Sequence, residues 1–150
     1  MDAGSVKNLV ENLIPFVKKT GVVARSLEPR AVVLALPHDV SNLNPMGIVH
    51  AGASFTLAET TAAALCVMSF DISKLSFIGK QVDIRFRRPG KGELTSRAQL
   101  AEADVAAASA QALAAGKHDL PITVDVTDAA GEPVASATVT MALRQVGKMG

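Results

Sequence analysis

Tryptophan and tyrosine are absent from the 150 residues, and five phenylalanines are the only aromatic side chains. The hydrophobic 49% of the chain must therefore pack mainly through Ala, Val, Leu and Ile, in closely spaced elements. Cys66 is the single cysteine. Neither an intrachain disulfide nor a thiolate cluster can form, which suits a reducing compartment and makes the cytoplasm the expected location. His38, His50 and His118 are scattered without metal-ligand spacing, and no metal or other cofactor is expected. Charge of one sign is missing too: 15 basic against 14 acidic residues leave a net +1. That field is too weak to make nucleic acid or an anionic membrane the main partner. No uninterrupted apolar run reaches the roughly 20 residues that cross a bilayer. The N-terminal stretch carries Glu11 and the Lys18-Lys19 pair and lacks a small-residue cleavage site, so it reads as an amphipathic helix rather than a signal peptide.

The length suits one domain over residues 1–150. Ser5 is placed to cap a helix whose apolar residues Val6, Leu9, Val10, Leu13, Ile14 and Val17 recur every three or four positions and which ends near Gly21. Two apolar runs, Val22 to Leu27 and Ala31 to Leu36, flank Glu28-Pro29-Arg30 as a hairpin. His38 to Gly47 is a polar loop. From Ala51 to about Phe70 the chain has no Pro and, after Gly52, no Gly, while Ala and Leu dominate, which predicts a long buried helix. Strands are expected over Lys80 to Arg88, Glu93 to Leu100, Ile122 to Val126 and Val134 to Leu143, the last two joined by a turn at Asp128 to Glu132. The alternation in Val82-Asp83-Ile84-Arg85-Phe86-Arg87 separates an apolar face from a charged one. The alanine-rich Glu102 to Gly116 is expected as an inserted helix. The order implies an α+β fold in which an antiparallel sheet curls around one central helix.

The segment richest in chemistry is Asn44-Pro45-Met46-Gly47-Ile48-Val49-His50-Ala51-Gly52-Ala53-Ser54-Phe55-Thr56-Leu57-Ala58-Glu59. It resembles the signature of the hotdog-fold acyl-CoA thioesterases, in which Asn or Gln precedes a His-Gly-Gly or His-Ala-Gly turn and an Asp or Glu follows inside the helix. The inserted helix and the His-Ala-Gly-Ala wording are most similar to the branch related to the phenylacetate-pathway thioesterases. The resemblance implies a hotdog fold and a homodimer, or a tetramer built as a dimer of dimers. It also implies hydrolysis of acyl-CoA as a small-molecule substrate, with Glu59 facing Asn44 and Ala51 of a partner subunit. Asn44 would then orient the water or acyl group, and His50 would brace the loop.

The residues carry a consistent argument of their own. The first N–H groups of a helix lack internal acceptors and sit at the positive end of its dipole, so Ala51, Gly52 and Ala53 are candidate donors to an oxyanion. Glu59 is an isolated carboxylate among apolar neighbours, a costly placement without a use or a partner. Eight residues of helix separate it from Ala51 by roughly 12 Å, too far for one side chain to span. Two such helices packed antiparallel about a two-fold axis would bring the two together. Glu59 would then act as general base on water or as nucleophile. Arg85, Arg87, Arg88 and Lys91, beside the Gly90 turn, are candidates to hold the CoA phosphates or, alternatively, are a solvated strand face. Ala51 stands where the commoner pattern has glycine, which would strain a positive φ, and Ala63 offers no hydroxyl one turn after Glu59. A second reading is therefore a non-catalytic acyl-CoA-binding module or sensor.

Overall fold

From the N-terminus, two short helices, α1 (Ala3–Asn8) and α2 (Pro15–Thr20), flank a π-helical turn over Leu9–Leu13, where one continuous helix was expected. Pro15 is the cause: without an N–H it cannot continue a helix, so it starts a new one at the first position. Ser5 is not the cap. Asp2 is, its carboxylate accepting the Ser5 N–H at 2.9 Å and the Ser5 hydroxyl at 3.0 Å. Gly21, at φ 75°, closes α2 where the sequence places the end. A computed structural model gives these elements and the rest of the chain over residues 1–147.

The hairpin forms as β1 (Val23–Glu28) and β2 (Ala31–Leu36). After the loop comes α3 (Ala51–Ser69), then β3 (Leu75–Phe86), β4 (Leu94–Gln99), α4 (Glu102–Ala115), β5 (Lys117–Thr127) and β6 (Pro133–Gln145). The strands make one six-stranded sheet in the order β1-β2-β4-β5-β6-β3, and every pair is antiparallel. This is the α+β sheet wrapped on a central helix that the sequence implied.

Two strands start earlier than their sequence pattern indicates. In β3 the alternation breaks at Gly79 and Lys80, because a bulge shifts the register there: Gly79 pairs with Met141 but Gln81 with Thr140. In β5 the obstacle is Pro121, which cannot donate to a ladder. It is tolerated because β4 covers only Asp125 to Thr127 of β5, so at Pro121 the strand has β6 on one side and no strand on the other.

The core lies between α3 and the sheet. Leu57, Leu65, Leu34, Leu94, Val124 and Val139 are fully buried, and each such side chain contributes about 1.5–3 kcal/mol. By length and composition α3 could cross a bilayer, yet 61% of that stretch is buried inside the protein's own fold. One polar bridge crosses this interior. The Thr61 hydroxyl hydrogen-bonds the Leu57 carbonyl at 2.7 Å and also meets the Ser96 hydroxyl, tying α3 to β4. Another stripe of α3 is only partly covered: Gly52 and Phe55 are exposed, and Glu59 and Ala63 half-buried, at spacings of three and four that align them, with β3 alongside at Glu59.

Candidate active site

The loop before α3 is built to hold the helix start rigidly. The Gly47 N–H donates to the Asn44 carbonyl at 2.9 Å, a four-residue turn with Pro45 at its second position and Gly47 at φ 73°. The Asn44 side-chain oxygen accepts the Met46 N–H at 2.9 Å, and the Asn44 N–H donates to the Ile48 carbonyl at 2.9 Å. Outside anchors fix the loop's position. The His50 N–H donates to the Asn42 carbonyl at 2.8 Å, and the Asn42 amide reaches the Thr20 carbonyl at 2.6 Å. The Val49 N–H donates to the Gly90 carbonyl at 3.2 Å, joining the loop to the turn after β3. Gly90 also lets the turn pack on Leu94, since a Cβ there would lie 2.9 Å from a Leu94 methyl.

His50 is the N-cap of α3. Its Nδ1 accepts the Gly52 N–H at 2.8 Å, and its carbonyl takes the Ala53 N–H at 3.0 Å and the Ser54 N–H at 3.1 Å. Of the three amides offered by the sequence, two are thus occupied. Only the Ala51 N–H has no acceptor among the described residues. The cap also explains the glycine, because a Cβ on Gly52 would stand 3.0 Å from His50 Nδ1. Ala51 carries no positive-φ strain: among the described residues the only non-glycine at positive φ is Arg30.

A cleft of about 330 Å³ opens beside Ala51, with Asn44, Arg87, Arg88 and Gly90 on its walls. Ser54, Phe86 and Val134 also line it; in the sequence they read as ordinary helix or strand residues and not as site residues. The basic run divides. Arg88 pairs with Glu132 at 2.9 Å, and Arg87 donates to the Ser136 hydroxyl at 3.0 Å. Arg85 instead lines a separate groove with Asp83 and Thr138, and Arg87 borders both spaces. Lys91 is exposed and lines neither.

Glu59 is not among the residues lining this cleft; it lies on the partly covered stripe of α3, beside β3. Burial pushes its carboxyl above the usual range, and among the described residues nothing hydrogen-bonds it. Its close neighbour is Gly79 of β3, where a Cβ would come 3.1 Å from Glu59 Oε1. The sequence pattern missed that glycine; an isolated Gly in a strand is the signal that could have found it. Cys66 lies wholly inside the core, and burial pushes its thiol up to about 12. Among the described residues no three His, Cys, Asp or Glu converge as a metal site requires.

A sheet wrapped on a buried helix, with a capped helix start facing a cleft, defines a hotdog-fold, thioesterase-like protein. The chain belongs to the DUF4442 family, described as a domain of unknown function, which it matches over residues 3–143. It is similar to a Pseudomonas aeruginosa protein of unknown function described as a probable thioesterase, with 35% identity, a TM-score of 0.91 and 97% of each chain covered. A thioesterase from Haemophilus influenzae shares the fold at 16% identity and a TM-score of 0.78, covering 99% of this chain and 94% of that one. A mutant thioesterase from Pseudomonas aeruginosa does so at 20% identity and 0.76, covering 97% and 96%. No curated protein matches significantly.

Proposed function

We propose that the protein hydrolyses acyl-CoA or acyl-carrier thioesters at a site completed by a second copy of the chain. The observation that carries this reading is the Ala51 N–H at the positive end of α3, open to a cleft, together with Glu59 two helical turns away, neither of them partnered among the described residues. A thioester carbonyl set against that amide is polarised, and the developing oxyanion is stabilised by the N–H and the helix dipole. Glu59 of the other subunit takes a proton from water as the water oxygen attacks the carbonyl carbon. The tetrahedral intermediate collapses, the C–S bond breaks, and the thiol leaves with the proton. Direct attack by the carboxylate, followed by hydrolysis of the anhydride, uses the same atoms. The Asn44 amide nitrogen, without an acceptor among the described residues, is available to orient the water or the acyl group.

Dimerisation is supported by surfaces that lack a cover in one chain. The stripe of α3 ending in small Ala63 is partly open, and among the described residues the outer edge of β3 has no strand beside it, with Ile78 68% and Phe86 49% exposed. Such an apolar face and edge suit a symmetric, self-complementary contact. Arg87 and Arg88 at the cleft mouth suit the phosphates of CoA; Arg85 and Lys91 lie outside that cleft and are weaker candidates. The resemblance to the phenylacetate-pathway branch and a cytoplasmic location belong to the same reading.

The test is release of free thiol from short, long and aryl CoA esters by purified protein, with its mass in solution measured alongside. Turnover lost in Glu59→Gln supports the reading. Saturable binding of the esters without thiol release would replace it with the binding-module reading, and a strictly monomeric active protein would refute the shared site.

A further inference from the structure

The placement of Glu59 against the sheet goes beyond its identity as a carboxylate. Its Oε1 lies close to Gly79, where the missing side chain leaves room; an added Cβ would stand 3.1 Å from that oxygen and 4.0 Å from Cδ. Directly after Gly79 the strand bulges, with Lys80 as the extra residue between the Gly79–Met141 and Gln81–Thr140 pairs. Bulges re-aim the strand and the groups beside it. This one is fastened from the opposite face of the sheet. The Lys80 ammonium is hydrogen-bonded to Asp119 of β5, and Asp119 also meets Arg144 of β6 at 3.5 Å, so three strands share one ion cluster. No cation of that cluster contributes to the state of Glu59, whose carboxyl is raised by burial alone. The other charged group nearby on β3, Asp83, is engaged by the Gln81 amide at 2.9 Å.

We propose that Gly79 and the Lys80 bulge form a seat for the Glu59 carboxylate, with Gly79 as a positioning residue that fixes where the carboxylate points. This rests on the thioester reading for its kinetic consequence, and on geometry alone for the seat. An L side chain at position 79 would crowd Oε1 and force the carboxylate to shift, and without the Lys80–Asp119 contact the bulge is free to shift.

Two measurements on the full chain separate the two dependencies. The first is the titration of the Glu59 carboxyl by carbon-detected NMR in wild type and Gly79→Ala. The second is the kcat and KM of both for a CoA ester. The Glu59 midpoint is expected to fall toward the ordinary glutamate value in Gly79→Ala. kcat is expected to drop about 10- to 100-fold with KM within about twofold, as for a misplaced catalytic group. Lys80→Met is expected to move both in the same direction by less, and Lys80→Arg, which keeps the contact with Asp119, to restore them. The seat is overturned if Glu59 titrates in both glycine and lysine variants as in wild type, and the positioning role is overturned if kcat in an active enzyme is unchanged while the midpoint moves. An inactive wild type in which the midpoint still moves would refute the thioester reading and retain the seat.

Discussion

Replacing Ala51 with proline removes one hydrogen-bond donor and almost nothing else. Ala51 is the first residue of α3, where proline is favoured because the N–H it lacks has no intrahelical partner. His50, at φ −62° and ψ 138°, already has the extended conformation that proline demands of the residue before it. Ala51 is exposed, so the ring meets no core side chain. Stability is therefore expected to stay within about 1 kcal/mol of wild type. In the proposed mechanism this N–H holds the oxyanion, and loss of one such donor costs about 10²–10³ in kcat, roughly 3 kcal/mol of transition-state stabilisation. Steady-state thiol release, with thermal unfolding of the same samples, measures both. Ala51→Ser, which keeps the N–H, serves as the control and is expected to remain within a few-fold of wild type. A rise in KM alone would mean that the ring obstructs the cleft. A proline variant with wild-type kcat would refute the assignment of the amide.

Three further outcomes are expected. Glu59→Gln loses about 10²–10⁴ in kcat/KM if the carboxylate is the base, and the wild-type acid limb should lie above the ordinary glutamate value of about 4.3. Because burial raises the folded-state pKa of Glu59, its favourable contribution is complete below the unfolded value and disappears as pH rises through the folded one. Glu59→Gln should therefore gain stability relative to wild type at pH 8 and lose that advantage at pH 4, as read by thermal unfolding. Arg88→Ala should raise KM for a CoA ester roughly tenfold, the order of one charge-assisted hydrogen bond, and leave a pantetheine-only thioester unaffected. Cys66, wholly buried with its thiol pushed up to about 12, should resist alkylation at pH 8 until the protein is unfolded, as followed by mass spectrometry.

Elements set by local chemistry were legible in the chain. The long stretch without Pro or interior Gly after Gly52 becomes α3, the Glu28-Pro29-Arg30 turn becomes a hairpin, and Gly116 ends α4. What escaped depends on contacts between distant segments. Gly79 and Lys80 disguise the first half of β3 because a bulge breaks the two-residue period, and Pro121 disguises β5 because the strand has no β4 neighbour there. At the site, the order of Asn44, Ala51 and Glu59 could be read, and helix rise alone separated the last two. Two features could not be read: that the His50 side chain and carbonyl consume the Gly52 and Ala53 amides, and that Arg85 does not line the cleft that Arg87 and Arg88 border. Both depend on the three-dimensional placement of backbone and side-chain groups, which spacing does not specify.

The shared site is tested most directly by mixing subunits that fail for different reasons. Ala51→Pro lacks the donor and Glu59→Gln lacks the carboxylate, so each homodimer has two defective sites, whereas a heterodimer has one site with both groups intact. Random reassortment of equal amounts should restore about a quarter of wild-type thiol release, since half the dimers are mixed and half their sites are whole. Activity no greater than the mean of the two parents, in a sample shown to contain heterodimers, would contradict a site built from two chains.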